Sequence, residues 1–200
     1  MAGHVPAIHV LGAKQMSSPP SNIASPQDIV TFWRDAGYER WYTKNDAFDQ
    51  QLRERFMLTW EAARDEKLGA WQETDDGVLA LLIVLDQFPR NMFRNDPRAF
   101  STDALARTVA ARAITEGRDL RVEQGLRSFV YLPFEHSEDL ADQERSITLF
   151  APLGEDSLKW AIIHADIIRK FGRFPHRNAV LGRTSTDAEK AYLAEGGFAG

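Results

Sequence analysis

Apolar residues recur along this chain at intervals of three and four, with charges between them. No stretch shows sustained period-two alternation with β-branched enrichment, so the pattern predicts an all-α protein. Order is expected to begin at Ser25-Pro26, a good N-cap followed by a proline suited to the first helical position. Ile29, Phe32 and Trp33 follow at helical spacing, and Gly37 is expected to close that helix. A second helix is predicted from Asn45 or Asp46 to Lys67, because Phe48, Leu52, Phe56 and Trp60 form a stripe one turn apart. Thr74-Asp75-Asp76 should cap a third, whose run from Val78 to Leu85 is apolar on every side and therefore belongs at the centre. Pro89 is expected to kink or break its end, leaving carbonyls for arginines or water to satisfy.

Further helices are predicted over Thr102 to Glu116, stopped by Gly117, and in a short piece from Gly125 to Tyr131, ended by Pro133. Ser137 should cap a helix to Phe150, Asp156 or Ser157 should start one that ends at Gly172, and Thr184 to Asp187 should cap a last one to about Leu193. Short, numerous amphipathic helices suit antiparallel pairs stacked in layers, although no fixed-period repeat is visible. The expected organisation is one helical domain over residues 25–200, preceded by a loosely ordered extension over 1–24 that contains Ser17-Ser18-Pro19-Pro20-Ser21.

Charge narrows the function. Twenty-four Lys and Arg against twenty-nine Asp and Glu give a formal charge of −5, which argues against a dedicated nucleic-acid binder. The absence of cysteine removes disulfides, thiolate metal sites and nucleophilic thiols together. No apolar run approaches the roughly 20 residues of a membrane span, and no basic-then-apolar leader is present, so a cytoplasmic setting is expected.

Four strings, DIVTFW, LLIVLDQFPRNMFR, FVYLPFEHSED and HADIIRKFGRFPHRNAVLGR, taken in order from about Pro26 to Leu193, resemble the bacterial DUF924 family of uncharacterised proteins. The resemblance implies a fold similar to tetratricopeptide-type helical stacks. It implies no activity, cofactor or residue role, so candidate chemistry rests on the residues themselves.

His164 lies in the apolar arc of its helix with Trp160, Ile167, Ile168 and Phe171, as either a hydrogen-bonded core histidine or a general base lining a cavity. Capping explains Ser137, Glu138 and Asp139 but leaves Glu135 and His136 at the edge of the core. In Phe174-Pro175-His176-Arg177-Asn178, Arg177 suits an anion, oriented by His176 and Asn178, or else a structural ion pair with Asp86 or Glu135. Asp86, Arg90, Asn91 and Arg94 form the matching corner at the end of the central helix. Together these residues suggest a polar pocket for a small anionic ligand or an acidic peptide end. The alternatives are an enzyme using Glu135, His136 and His164 for acid/base chemistry, and a protein-binding scaffold with no small-molecule site. No cofactor is expected, since nucleophile-elbow, phosphate-loop and dinucleotide patterns are all missing. No metal is expected either, since the histidines lack HExxH or His-x-His spacing.

Overall fold

The computed structural model describes residues 22–199, and every regular element in that span is helical. Helix α1 (Pro26–Tyr42) opens with a reciprocal cap, the Ser25 side chain accepting from the Asp28 N–H and the Asp28 carboxylate accepting from the Ser25 N–H. Gly37 does not close it. With φ at 73° it interrupts the helix, which then resumes through Tyr42. Packing explains the continuation, because the Trp41 indole N–H donates to the Trp33 carbonyl at 2.7 Å and its ring meets Phe129. Helix α2 (Asp46–Arg64) is capped by Asn45 and ends at Arg64 rather than Lys67. Its stripe and that of α1 meet in an aromatic cluster where Trp33 contacts Phe48, Phe88 and Phe129, and Phe56 stacks on Phe88 at 5.1 Å.

The centre is a continuous rod of α3 (Asp75–Leu82), a π turn (Ile83–Gln87) and α4 (Phe88–Met92). It is buried from Val78 to Leu85, and α3 packs against α1, α5 (Asp103–Thr115) and α6 (Ser128–Glu135). Pro89 therefore does not break the helix; the wider π turn absorbs it. Pro89 has no N–H for the Leu85 carbonyl, and the Thr102 hydroxyl donates there instead, while Arg90 donates to the Asp86 carbonyl. Pro133 is also tolerated, for α6 runs through it to Glu135. Every residue from Phe129 to Glu135 is buried, so packing outweighs the missing N–H.

Helix α7 (Leu140–Phe150) starts later than expected. Asp139 is its cap, while the Ser137 hydroxyl accepts from the Asp139 N–H and donates to Asp142. Helix α8 (Glu155–Phe171) ends at Gly172 in the left-handed conformation, and α9 (Asp187–Ala194) carries a Thr186–Glu189 capping box. Helix α5 packs on α6, α6 on α7, and α7 on α8. Of the extension expected over residues 1–24, the part up to residue 21 lies outside the described residues. Ala24 is already attached, its N–H donating to the buried Thr59 hydroxyl at 2.9 Å. No described helix is long and apolar enough to cross a membrane.

Gly77, in the first turn of α3, has no room for a side chain, since a Cβ would overlap the Trp71 carbonyl and crowd the Thr74 hydroxyl. Gly to Ala ordinarily favours a helix by up to about 1 kcal/mol. Here Gly77→Ala is expected to destabilise the protein by about 1–3 kcal/mol through overpacking. Urea unfolding followed by circular dichroism checks the sign.

Candidate functional site

The π turn carries Asp86 into the interior, where its side chain has no solvent contact. Its carboxylate accepts from the Gln87 amide and from His136 Nδ1 at 2.9 and 3.0 Å, and lies 3.2 Å from the Arg90 guanidinium. Arg90 is gripped on its other side by both oxygens of Asp103, at 3.0 and 3.1 Å. Asp103, the first residue of α5, is also 3.7 Å from Arg177. Burial alone would raise the Asp86 pKa, but Arg90 and His136 overcome it and hold it at about 2. Burial and Arg90 lower the His136 pKa, so at neutral pH the ring is uncharged. Its Nδ1–H must be the donor to Asp86, which leaves Nε2 as an acceptor.

Glu135, the last residue of α6, is the counterpart of Asp86. Burial and the Asp86 charge push its carboxyl up to about 8, so it is protonated at neutral pH. His164 on α8 donates Nδ1–H to the Trp160 carbonyl at 2.9 Å, and Glu135 Oε1 lies 3.3 Å from the same nitrogen. Burial lowers the His164 pKa to about 3, so this approach joins two neutral groups and is not an ion pair.

The short turn Pro175–Arg177 brings in the remaining two residues. Burial, then Arg177, lowers the His176 pKa to about 4. Arg177 is itself buried between two aromatic faces, its guanidinium carbon 4.7 Å from the Phe100 ring centre and 4.4 Å from that of Phe174. Burial and Arg90 lower its pKa to about 10, which still leaves it charged. Among the described residues, Arg177 Nε, His176 Nδ1 and Glu135 Oε2 are buried without a hydrogen-bond partner. Phe174 is fixed from outside, since Glu138 accepts from its N–H and is clamped by the two terminal guanidinium nitrogens of Arg183.

The structure thus gathers Asp86, Arg90, Glu135, His136, His164, His176 and Arg177, from the rod to the last third of the chain. It turns others away. Asn91 donates to Asp49 at 2.8 Å and Arg94 pairs with the same carboxylate, tying α4 to α2. Asn178 bonds Ser185 and Arg183 and so shapes the turn behind His176. Trp160 leaves the apolar arc and is 46% exposed. Arg177 pairs with neither Asp86 nor Glu135; Asp103 is its partner, a residue legible in the sequence only as a helix-start acid. Asp49 and the Phe100–Phe174 sandwich were likewise missed. Local sequence carries no sign of the sandwich beyond two isolated aromatics. A cavity of about 70 Å³ and an open cleft of about 380 Å³ beside α1 lie away from this group. Among the described residues no three His, Asp or Glu side chains stand close enough to share a metal ion.

A family of bacterial proteins of unknown function, DUF924, matches the chain over residues 29–197. The structure is similar to that of the protein of unknown function ATU0120 from Agrobacterium tumefaciens, with a TM-score of 0.84 and 47% sequence identity. That match covers 86% of this chain and 97% of the other. A search of curated proteins gave no match. The family match spans nearly all of the described helices, and on that ground the chain belongs to the DUF924 family.

Proposed function

We propose that this protein binds a small anion, or the acidic end of a peptide, beside Arg177. The supporting observation is the state of that side chain: a buried guanidinium with a free Nε, whose nearest carboxylate, Asp103, is 3.7 Å away. The two Phe rings hold the cation in place without neutralising it, and a carboxylate or phosphate oxygen would gain a charge-assisted hydrogen bond there. His176, in the same turn, brings a buried ring nitrogen without a partner that orients the guest. The succession α5 to α8 agrees with tetratricopeptide-like stacking, and the absence of cysteine agrees with a cytoplasmic setting. A second reading, acid/base catalysis at the same place, draws on the Asp86–His136 pair, in which a carboxylate orients Nδ1–H and leaves Nε2 to take a proton. Protonated Glu135 would then be the acid.

Arg177→Ala is expected to abolish the thermal stabilisation that small carboxylates or phosphate give the wild type, with helical content unchanged, because a ligand stabilises only the state that binds it. Equal shifts in both proteins would remove Arg177 as the anchor. For the catalytic reading, a folded His136→Gln variant is expected to bind such anions normally while losing any ester hydrolysis that the wild type shows in a substrate panel. Retained hydrolysis would exclude proton transfer by His136.

The same groups set a pH dependence of stability. Folding raises the Glu135 pKa from 4.5 to about 8, so its contribution is whole below 4.5 and is lost as pH rises through 8. Folding lowers His164 from 6.5 to about 3 and His176 to about 4, so their contributions are whole above 6.5 and are lost on acidification. Between 4.5 and 6.5 the two histidines outweigh the single carboxyl, which places the maximum near pH 6.5. Glu135→Gln is expected to flatten the limb above that maximum and His164→Gln to flatten part of the limb below it. Melting temperatures from about pH 4 to about pH 9 test both.

A further inference from the structure

The segment after α9 turns back over the histidines. Gly196 has a φ of +84°, and Gly197 lies so close to Tyr192 that a Cβ would overlap its ring and carbonyl. This return places the Phe198 ring 4.5 Å from the His164 ring centre and 5.3 Å from that of His176. Its backbone is tethered by the Phe198 N–H donating to the Tyr192 hydroxyl at 3.0 Å. The flanking residues Glu195, Gly196 and Ala199 are exposed and belong to no helix. Beneath the ring, His176 Nδ1 is buried without a partner among the described residues, and a phenyl group supplies no hydrogen bond to it. Phe198 packs on the cluster of Ile167, Ile168 and Phe174 and meets the Trp160 ring at 6.2 Å, yet it leaves the polar floor beneath it unsatisfied.

The Phe174 ring links this cover to the anion position. Its centre is 5.5 Å from that of His164, which Phe198 overlies, and the Arg177 guanidinium is 4.4 Å from it on another side. A ligand reaching from the place of Phe198 to Arg177 passes the His164 and Phe174 rings, which join the two positions. We propose that Phe198 occupies the place of the ligand's own apolar group, and that the site takes a carboxylate bearing an aromatic ring, which displaces Phe198 as it enters. The inference rests on the anion reading above. Exchange of one ring for another keeps the edge contacts on the two imidazoles, and the carboxylate gives the Arg177 Nε the charge-assisted hydrogen bond that it lacks. Acetate carries no ring to compete with Phe198, so its binding at Arg177 does not depend on the exchange.

The test titrates the full chain, wild type and Phe198→Ala and Arg177→Ala variants, with 3-phenylpropionate and with acetate by calorimetry. Phe198→Ala is expected to bind 3-phenylpropionate about tenfold tighter than wild type, since a cover in place for about nine molecules in ten costs that factor. Acetate should bind both equally, and Arg177→Ala should bind neither ligand. Equal 3-phenylpropionate affinity in wild type and Phe198→Ala, with acetate binding retained, overturns the displacement and leaves the anion reading standing. Absence of binding by both carboxylates in wild type and Phe198→Ala overturns both. A ligand-independent check is acylation by diethyl pyrocarbonate, located by mass spectrometry. His164 and His176 should react faster in Phe198→Ala than in wild type, with circular dichroism confirming an intact fold. Unchanged rates mean that Phe198 covers nothing.

Discussion

An ionised carboxylate without solvent contact stands at the end of the most apolar rod in the molecule, and much of the architecture follows from keeping it charged. Removing Asp86 from water costs several kcal/mol unless opposite charge and hydrogen bonds compensate. The compensation comes from separate elements: Arg90 from α4, His136 from the end of α6, and Asp103 from α5, which holds Arg90 in place. Arg177 joins through Asp103. Docking these elements and assembling the polar group are therefore one event, and a substitution that breaks the network loosens helix packing as well as chemistry.

The helices were legible where a stripe or a cap is decided locally. Phe48, Leu52, Phe56 and Trp60 mark α2, and Asn45, Thr74 and Thr186 cap as their side chains suggest. Prolines and glycines misled where tertiary packing overrode a local rule. Pro89 and Pro133 lie in helices that buried neighbours hold together, and Gly37 interrupts α1 without ending it. In the site, His164 and Arg177 stand out because polar residues in apolar surroundings need partners. Asp103 does not, because an acid at a helix start already has a local explanation that hides its long-range role. Asn91 shares α4 with Arg90, yet helical rotation turns it to another face and to Asp49, which Arg94 reaches from the turn after the helix.

The two carboxyls of the site have opposite environments. Asp86 has three cationic or donor neighbours, Arg90, His136 and Gln87, and remains ionised; Glu135 is buried near a negative charge and keeps its proton. Across the neutral range the pair holds one proton on a fixed member, with three uncharged imidazoles around it. Such separation gives one fold both an acid and a base at the same pH.

The clamp of Glu138 on Phe174 and Arg183 has a consequence of a different kind. It ties the start of α7 to the chain between 174 and 183, so the sandwich around Arg177 is built before any guest arrives. The entropy of ordering that side chain is lost in folding and not again in association. A guest of few atoms can then be held by few contacts, because little of its binding free energy goes into organising the host.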